Sequence, residues 1–153
     1  MEIAKATVQE IMTAPEFPAL IDAYAAESAV EGLPSPMAKL EGYRALEFTG
    51  VIHVFSAVEN GALAGFITVA APPSLHFSVP LAVTESFYVT PAHRGLTGLR
   101  LLATAERQAK DCGSPGLLVT APLGGKLCRL LECPKLGYRP VGMTFFKALT
   151  DVH

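Results

Sequence analysis

The stretch "SFYVTPAHRGLTGLRLLATAE", Ser86–Glu106, constrains the fold of this 153-residue chain more than any other. A β-rich run ends at Thr-Pro, passes through His-Arg-Gly-Leu-Thr-Gly, and continues as a helix with apolar residues at a 3.6-residue period and with Arg100 and Arg107 outside. A strand joined by a short glycine turn to an amphipathic helix is typical of an α/β domain, in which the helix packs on the sheet.

The turn itself, residues 93–98, has two interpretations. Free N–H groups and the positive end of the dipole let a helix N-terminus bind phosphate, and glycines let the backbone approach it. Alternatively, the turn only needs room, with Gly95 at a positive φ, Thr97 as the N-cap and Gly98 against the sheet. The Rossmann pattern GxGxxG with a following acid and the P-loop ending in Gly-Lys-Ser/Thr are both missing from the sequence.

The remaining periodicities predict one domain spanning residues 1–153, because neither repeats nor a low-complexity linker divides the chain. Asn-Gly between Val51–Val58 and Ala62–Pro72 predicts a β-hairpin. The predicted element order is β, α, α, β, β, β, α, β, α, β. The other elements are a β-leaning Ala4–Met12, helices in "TAPEFPALIDAYAAESA" and "GKLCRLLEC", a helix or helical turns in "MAKLEGYRAL", strands at Leu81–Pro91 and Gly116–Pro122, and a closing strand or strand pair in "GYRPVGMTFFKAL".

The charge balance and the cysteines restrict the class of protein. Half of the residues are hydrophobic, and a net charge of −2 with twelve scattered Lys and Arg argues against a nucleic-acid partner. Acids and a proline near the start, and no apolar run of ~20 residues, predict a cytoplasmic protein without a signal peptide or membrane contact. Three cysteines without a CxxC pair, and no histidine at ligand spacing from them, predict a reducing compartment and no metal.

Two segments carry a family resemblance. "FYVTPAHRGLTGLRLL" resembles the acyl-CoA-binding signature of the GNAT-type N-acetyltransferase superfamily, and "KLGYRPVGMTFFKAL" resembles the closing segment of that family. Two motifs in the expected order indicate a divergent member, similar to the small GNAT proteins of bacteria and phages. The residues that match the first signature are Val89, Pro91, Arg94, Gly95, Gly98, Leu101 and Leu102.

The resemblance implies a mixed, mostly antiparallel sheet flanked by helices, with acetyl-CoA in a cleft where Leu81–Pro91 splays from Gly116–Pro122. Backbone groups of Phe87, Tyr88 and Val89 would hold the pantetheine arm, one N–H polarising the thioester carbonyl as negative charge develops on its oxygen. The backbone that would hold the pyrophosphate comprises His93, Arg94, Gly95, Leu96, Thr97 and Gly98.

This sequence departs from the family pattern at the phosphate turn, which usually reads Gln/Arg-x-x-Gly-x-Gly/Ala. If Gly98 takes the last place, His93 takes the first and Leu96 replaces the middle glycine. If Arg94 takes the first place, Thr97 replaces the glycine. The first alignment is preferred because it keeps the Gly-x-x-Leu-Leu helix start in step.

The catalytic residues depart as well. The family commonly carries a tyrosine four residues before the glycine of Lys-Leu-Gly, where it protonates the departing CoA sulfur, and Cys133 stands there in this chain. Its thiol can serve as that proton donor, or Cys133 is simply a small buried residue. Because no tyrosine holds this place, a weaker mechanism or a loss of catalysis is implied.

For the general base, Glu85 is the leading candidate. It lies four residues before Val89, where some family members carry a catalytic glutamate, and an acid on a central apolar strand is costly unless it is paired or working. Strict alternation places Glu85, Phe87 and Val89 on one face of the sheet. The alternative is a surface-facing or salt-bridged acid.

Other side chains are weaker candidates. His53 and His76 can each deprotonate an ammonium near neutral pH, although lone histidines are more often structural. Glu27 can attract a cationic acceptor, or belong to a solvated face. Phe17 and Tyr24 are expected in the core and not in an acceptor pocket.

Together these observations predict an enzyme that moves an acetyl group from acetyl-CoA to a primary amine by direct attack in a ternary complex. The acceptor would be a small-molecule or peptide amine, which no segment specifies further. The alternative is a non-catalytic acyl-CoA-binding module on the same fold, favoured by the missing tyrosine and opposed by Glu85. A homodimer is compatible with this fold, although no segment requires one.

Overall fold

The computed structural model describes residues 1–35 and 40–149 of the chain. The strands are β1 (Glu2–Ala6), β2 (Ile52–Glu59), β3 (Ala62–Ala70), β4 (Pro73–Ser74), β5 (Val79–Pro80), β6 (Ala82–Val89) and β7 (Leu117–Leu118). The helices are α1 (Val8–Thr13), α2 (Phe17–Ser28), α3 (Leu40–Phe48), α4 (Leu96–Asp111) and α5 (Lys126–Leu131).

Five strands form one sheet in the order β1-β2-β3-β6-β7. The pairs β1–β2, β2–β3 and β3–β6 are antiparallel, and β6–β7 is parallel. Helices cover both faces. The predicted fold class, a mixed and mostly antiparallel sheet flanked by helices, is confirmed.

The β2–β3 hairpin forms at the predicted Asn-Gly. Asn60 and Gly61 both have positive φ angles, 52° and 81°, as a two-residue hairpin turn requires. The loop after β3, predicted to be irregular, contains the small hairpin of β4 and β5, which turns through Ser78 at a φ of 56°.

The N-terminal segment differs from its prediction. Ala4–Met12 is strand only as far as Ala6, because Thr7 starts helix α1. The Thr7 hydroxyl accepts a hydrogen bond from the Glu10 N–H at 3.1 Å, and the Glu10 carboxylate accepts one from the Thr7 N–H at 2.6 Å. This reciprocal cap is the Thr-x-x-Glu capping box, and it outweighs the β propensity of the residues that follow.

Two apolar clusters fill the two faces of the sheet. On one face, α4 packs against β2, β3 and β6, and Ile67, Leu101 and Ala105 have no solvent exposure. On the other face, α1 and α2 pack with Leu20 and Phe66 in the core, and α3 lies against α1 and β2. The helix predicted in "MAKLEGYRAL" is present from Leu40, and residues 36–39 lie outside the described part of the chain.

A β-bulge interrupts β6 at Glu85. In the β3–β6 ladder Thr68 pairs with Ser86 and Val69 pairs with Thr84, so Glu85 has no partner on β3. One extra residue shifts the side-chain alternation of a strand by one position.

The bulge corrects the predicted face of Glu85. Phe87 and Val89 pack on the α4 face, whereas Glu85 lies on the opposite face beside Tyr43. The prediction that Glu85, Phe87 and Val89 share one face is therefore wrong, because strict alternation assumed an uninterrupted ladder.

The end of the chain also differs. The buried strand predicted at Gly116–Pro122 is reduced to two partly exposed residues, because β7 pairs with β6 at only two positions. Residues 137–149, predicted as a strand or strand pair, contain no strand, since the short β7 offers them no ladder. Tyr138 instead donates its hydroxyl to Glu106 on α4 at 2.7 Å, and the apolar side chains after it, such as Met143 and Phe145, are exposed.

Within the described residues there is no helix that could span a membrane, no cluster of metal ligands and no disulfide. None of the helices there is both long and apolar enough to cross a membrane; the longest, α4, has 16 residues. Across residues 1–35 and 40–149, no three His, Cys, Asp or Glu side chains come together as metal ligands. All three cysteines are free thiols.

Candidate active site

A cleft opens beside β6 where its parallel neighbour ends. β6 pairs with β7 only through its first two residues and continues to Val89 without that partner. On the other side, the Thr90 N–H donates to the Ala64 carbonyl at 2.9 Å. Because ladder pairs alternate, the backbone groups of Phe87 and Val89 face the cleft, while those of Tyr88 face β3.

The N-terminus of α4 lies at the end of this strand. Gly95 is its N-cap, with a φ of 90°, and the first helical hydrogen bond runs from the Leu99 N–H to the Gly95 carbonyl at 3.1 Å. The N–H groups of Leu96, Thr97 and Gly98 therefore have no acceptor within the helix. Such a set of donors, at the positive end of a 16-residue helix, suits a phosphate.

The side chains of the turn explain its shape. Gly98 is buried, and a Cβ there would lie 3.8 Å from the Phe87 ring, so the first turn of α4 packs closely on β6. Thr97, the N-cap in one interpretation of the turn, is instead a buried residue of the first helical turn, two positions after the N-cap Gly95. Leu96 is 71% exposed and stands where the family pattern has a glycine.

Three contacts with two elements hold the Arg94 side chain. Its Nε donates to the Val89 carbonyl at 2.9 Å, its guanidinium pairs with the Glu27 carboxylate of α2, and it lies 5.6 Å from the Tyr88 ring centroid. The Glu27 hydrogen bond raises the pKa of Arg94, which stays charged. The contacts of this side chain connect α2, β6 and the turn.

His93 faces the β2–β3 hairpin. Its Nδ1 lies 2.8 Å from the Thr90 hydroxyl, and its Nε2 lies 2.8 Å from a carboxylate oxygen of Glu59. The Glu59 carboxylate is also 3.6 Å from the N-terminal amine of Met1. The imidazole thus anchors the turn to the end of the hairpin.

A cavity of about 320 Å³ lies on the other face of the sheet, under α1, α2 and α3. The bulge brings Glu85 to its wall. Phe17 and Tyr24 also line it while packing on the core, so the expectation that they serve the core alone is incomplete. The residues that line the cavity are Val8, Ile11, Met12, Phe17, Ile21, Tyr24, Tyr43, Val54, Phe66, Thr68, Glu85 and Ser86.

Two tyrosines surround the Glu85 carboxylate. The Tyr43 hydroxyl lies 3.5 Å from Glu85 Oε1. Burial raises the pKa of both Tyr43 and Tyr24, and the negative charge of Glu85 raises each further. Both phenols are therefore neutral at physiological pH and can donate hydrogen bonds, while the exposed Glu85 side chain remains accessible to water.

Cys133 lies apart from this site. It is exposed between α5 and a 3₁₀ turn at Pro134–Leu136, where its N–H donates to the Leu130 carbonyl at 3.1 Å. The described residues that line the cavity all precede α4. Cys133 is therefore not part of the cavity wall on which Glu85 lies.

The two histidine candidates also lie away from the cavity lining. His53 faces Cys112, with 3.5 Å between Nε2 and Sγ, and burial lowers the pKa of His53, so that it is neutral at pH 7. His76 is exposed in the β4–β5 loop, edge-on to Phe77.

Sequence reasoning missed three residues of the cavity wall. Tyr43 lies on the short helix α3, and its only signal was an aromatic ring in a helical segment of nine residues, three of them charged. Thr68 and Ser86 face each other across the β3–β6 ladder, and nothing in their local sequence distinguishes them from other strand residues.

The chain is similar to known proteins in both sequence and fold. The sequence profile of the acetyltransferase (GNAT) family matches residues 17–133, which include β6, the turn and α4. No curated protein matches the sequence significantly.

Solved structures with the same fold are numerous. A ribosomal-protein-alanine N-acetyltransferase from Brucella melitensis biovar Abortus 2308 is similar at 18% identity and a TM-score of 0.66, over 96% of this chain and 98% of that one. An aminoglycoside acetyltransferase from an uncultured soil metagenomic sample, in complex with sisomicin, is similar at 17% identity and a TM-score of 0.71, over 97% and 96%. An aminoglycoside N-acetyltransferase in complex with CoA is similar at 14% identity and a TM-score of 0.68, over 95% and 97%. At these identities the likeness shows a shared fold.

Proposed function

The chain belongs to the GNAT family of acetyltransferases, and we propose that it moves an acetyl group from acetyl-CoA to a primary amine by direct attack in a ternary complex. One observation carries this proposal. The single strand β6 carries Glu85 at the cavity, exposes its backbone edge to the cleft, and leads into the free N-terminus of α4. The candidate base, the backbone edge for the thioester and the candidate phosphate site thus follow one another along β6 and into the start of α4.

Acetyl-CoA fits the cleft by the chemistry of its donors. The N–H groups of Leu96, Thr97 and Gly98, with those of Arg94 and Gly95 in the turn, would hold the pyrophosphate. His93, expected to share in this contact, donates its own N–H to the Thr90 carbonyl at 2.9 Å and so contributes by shaping the turn. The cleft-facing backbone of Phe87 and Val89 would pair with the pantetheine amides, while Tyr88 contributes through its neighbours because its own backbone faces β3. Arg94 acts here by fixing the turn to β6 and α2.

In the reaction, the neutral amine nitrogen bonds to the acetyl carbonyl carbon and then releases a second proton to solvent, the C–S bond breaks, and CoA leaves as a thiolate that takes up a proton from solvent. A protonated amine cannot attack, so the ammonium must first lose a proton, and the Glu85 carboxylate accepts it directly or through water. An N–H of β6 donates to the carbonyl oxygen as charge develops on it. Because Cys133 shares no described contact with the cavity, we assign protonation of the thiolate to solvent.

Calorimetric titration with acetyl-CoA tests the cofactor site. We expect binding by the wild type and its loss in Gly98→Glu, because the new carboxylate would stand where phosphate binds. The added Cβ has space, 3.8 Å from the Phe87 ring, and a melting curve of the variant shows whether the larger buried side chain leaves the fold intact. Gly142→Glu is the matched control, since Gly142 has open space around it and lies outside α4. Equal binding by both variants would contradict the site.

Acetyl transfer by Glu85→Gln tests the base. We expect kcat/KM to fall about 10²–10⁴-fold at pH 7 and to recover partly at higher pH, where more of the amine is neutral. Glu41→Gln, an exposed acid on α3, is the control. If the wild type binds acetyl-CoA but transfers acetyl to no amine, the non-catalytic acyl-CoA-binding module is the correct function; the cysteine at the usual tyrosine position favours that alternative.

A further inference from the structure

The cavity beside Glu85 has a composition that selects a class of acceptor amine. Its described lining is apolar except for four hydroxyl groups, two of them on tyrosines, and the carboxylate of Glu85. Neither lysine nor arginine nor a second acid lines it within the described residues. Only one ammonium can therefore find a counter-charge there.

Four acids on the surrounding elements are committed to other contacts, and Asp22 of α2 and Glu41 of α3 are not part of the described cavity lining. Glu47 of α3 accepts from the Val8 N–H at 2.9 Å, and Glu16, before α2, accepts from the Leu63 N–H at 3.3 Å. Glu27 pairs with Arg94, and Glu10 caps α1. A polycation in this cavity would leave ammonium groups unpaired among apolar side chains, which is costly.

The aromatic residues provide the complementary part of the site. Phe17 and Tyr24 have ring centroids 6.3 Å from that of Phe66, and all three line the cavity. Aromatic rings bind apolar carbon by area and bind a cation by their faces. An ammonium beside Glu85 and Tyr43 would leave its hydrocarbon body among these three rings.

Resting on the proposed acetyl transfer, we propose that the acceptor is an apolar primary monoamine, of the arylalkylamine or branched alkylamine class. Its single ammonium pairs with Glu85, and its carbon skeleton fills the space under α1 and α2. Aminoglycosides and polyamines, which carry several ammonium groups, are excluded as preferred acceptors by the lack of a second carboxylate in the described lining.

An acetyl-transfer assay with four amines tests this class: 2-phenylethylamine, isoamylamine, spermidine and kanamycin, with ethanolamine as the small polar reference. We expect kcat/KM for 2-phenylethylamine to exceed that for ethanolamine roughly 10- to 100-fold, from burial of the ring. The two polycations should be no better than ethanolamine. Preference for spermidine or kanamycin would overturn the inference and leave the acetyltransferase proposal intact.

A charge variant sharpens the assay. Ile21 lines the cavity from α2 and is half-buried. Ile21→Glu adds the missing second carboxylate, and should move the ratio of kcat/KM for spermidine over 2-phenylethylamine upward at least tenfold. Ile21→Gln, of the same shape without the charge, should not. An equal shift in both variants would contradict the charge argument.

Binding without acetyl-CoA separates this inference from the proposed function. Chemical-shift changes on titration with 2-phenylethylamine should map to residues around Phe66 and weaken in Glu85→Gln, which removes the counter-charge of the ammonium. If these changes occur without acetyl transfer to any amine, the ligand class stands and the proposed reaction fails. If no shift and no transfer occur with either apolar amine, the inference is wrong.

Discussion

The two faces of the sheet are built from the same strands but are filled differently. On the α4 face, Ile67, Leu101 and Ala105 exclude solvent completely. On the opposite face, Val54 and Phe66 are nearly as buried, at 3% exposure each, yet a cavity of about 320 Å³ remains between them and helices α1–α3. The close-packed face resists displacement and so fixes the N-terminus of α4 against β6, whereas the other face keeps room for a ligand.

The bulge in β6 connects these two faces. Phe87 after the bulge packs toward α4, and Glu85 at the bulge lies at the cavity. One irregularity in a ladder thus gives the strand a charged group on the open face and an apolar one on the packed face. The difference between the faces can be tested by substitutions that act on one and spare the other.

The largest expected effect is on the packed face. Leu101→Ala should lower the free energy of unfolding by about 3 kcal/mol, because it removes a fully buried side chain from a site with little freedom to relax. Phe17→Ala, on the half-exposed cavity wall, should lose only about 1–2 kcal/mol. Urea denaturation measures both. Equal losses would mean that the two faces are packed alike.

Next in size is a change at the close contact between β3 and β6. A Cβ at Gly65 would lie 2.7 Å from the Tyr88 carbonyl, which is backbone and cannot rotate away. Gly65→Ala should therefore cost about 1–3 kcal/mol and weaken acetyl-CoA binding by displacing β6. Gly42→Ala is the control: it has open space on helix α3, and should stabilise by about 0.5 kcal/mol. A neutral Gly65→Ala would contradict the contact.

A smaller effect is expected where Arg94 joins the two faces through Glu27 and the Val89 carbonyl. Arg94→Ala should lower stability by about 1 kcal/mol, because these hydrogen bonds are partly exposed to water. Combined with Glu27→Gln, its effect should be less than additive, and the coupling should shrink in 1 M salt. Additive effects at low salt would show that the pair contributes nothing.

The smallest effect concerns α1, one wall of the cavity. Thr7→Ala removes the side-chain cap of this exposed helix start and should destabilise by about 0.5 kcal/mol at neutral pH. Hydrogen bonds from the backbone N–H of Thr7 and from its hydroxyl, which donates to the Glu10 carboxylate at 2.9 Å, lower the pKa of Glu10 below its ordinary 4.5. Thr7→Ala keeps the backbone N–H and removes the part that the hydroxyl contributes. A carboxyl with a depressed folded pKa stabilises above its unfolded pKa, and that contribution is lost as pH falls through the folded pKa.

Denaturation of Thr7→Ala and wild type from pH 7 to 3 measures this dependence. The difference between them should shrink as the solution becomes acidic. Thr13→Ala is the control, because the Thr13 hydroxyl donates to the Gln9 carbonyl within the helix and involves no carboxylate. A pH-independent difference for Thr7→Ala would contradict the role of Glu10.

Much of the fold could be predicted from local sequence. The Asn-Gly hairpin and the extent of α4 follow from turn chemistry and periodicity, which depend on neighbouring residues only, whereas the mixed sheet was implied by the family resemblance. The prediction of a β-leaning Ala4–Met12 gave too much weight to β propensity, because the Thr7 capping box that starts helix α1 was already present in the sequence. The strand predicted after Gly137 failed because a strand needs a partner edge, and β7 supplies just two residues.

The candidate site, like the fold, was predicted only in part. The sequence by itself determined the glycine turn, the helix that starts there and the presence of an acid four residues before Val89, because each is a local pattern. Only the tertiary structure decided where Glu85 points, that Tyr43 stands beside it, and that Phe17 and Tyr24 enclose a cavity. The reason is physical: a bulge is set by the register between two strands, and a cavity by the space that several distant elements fail to fill.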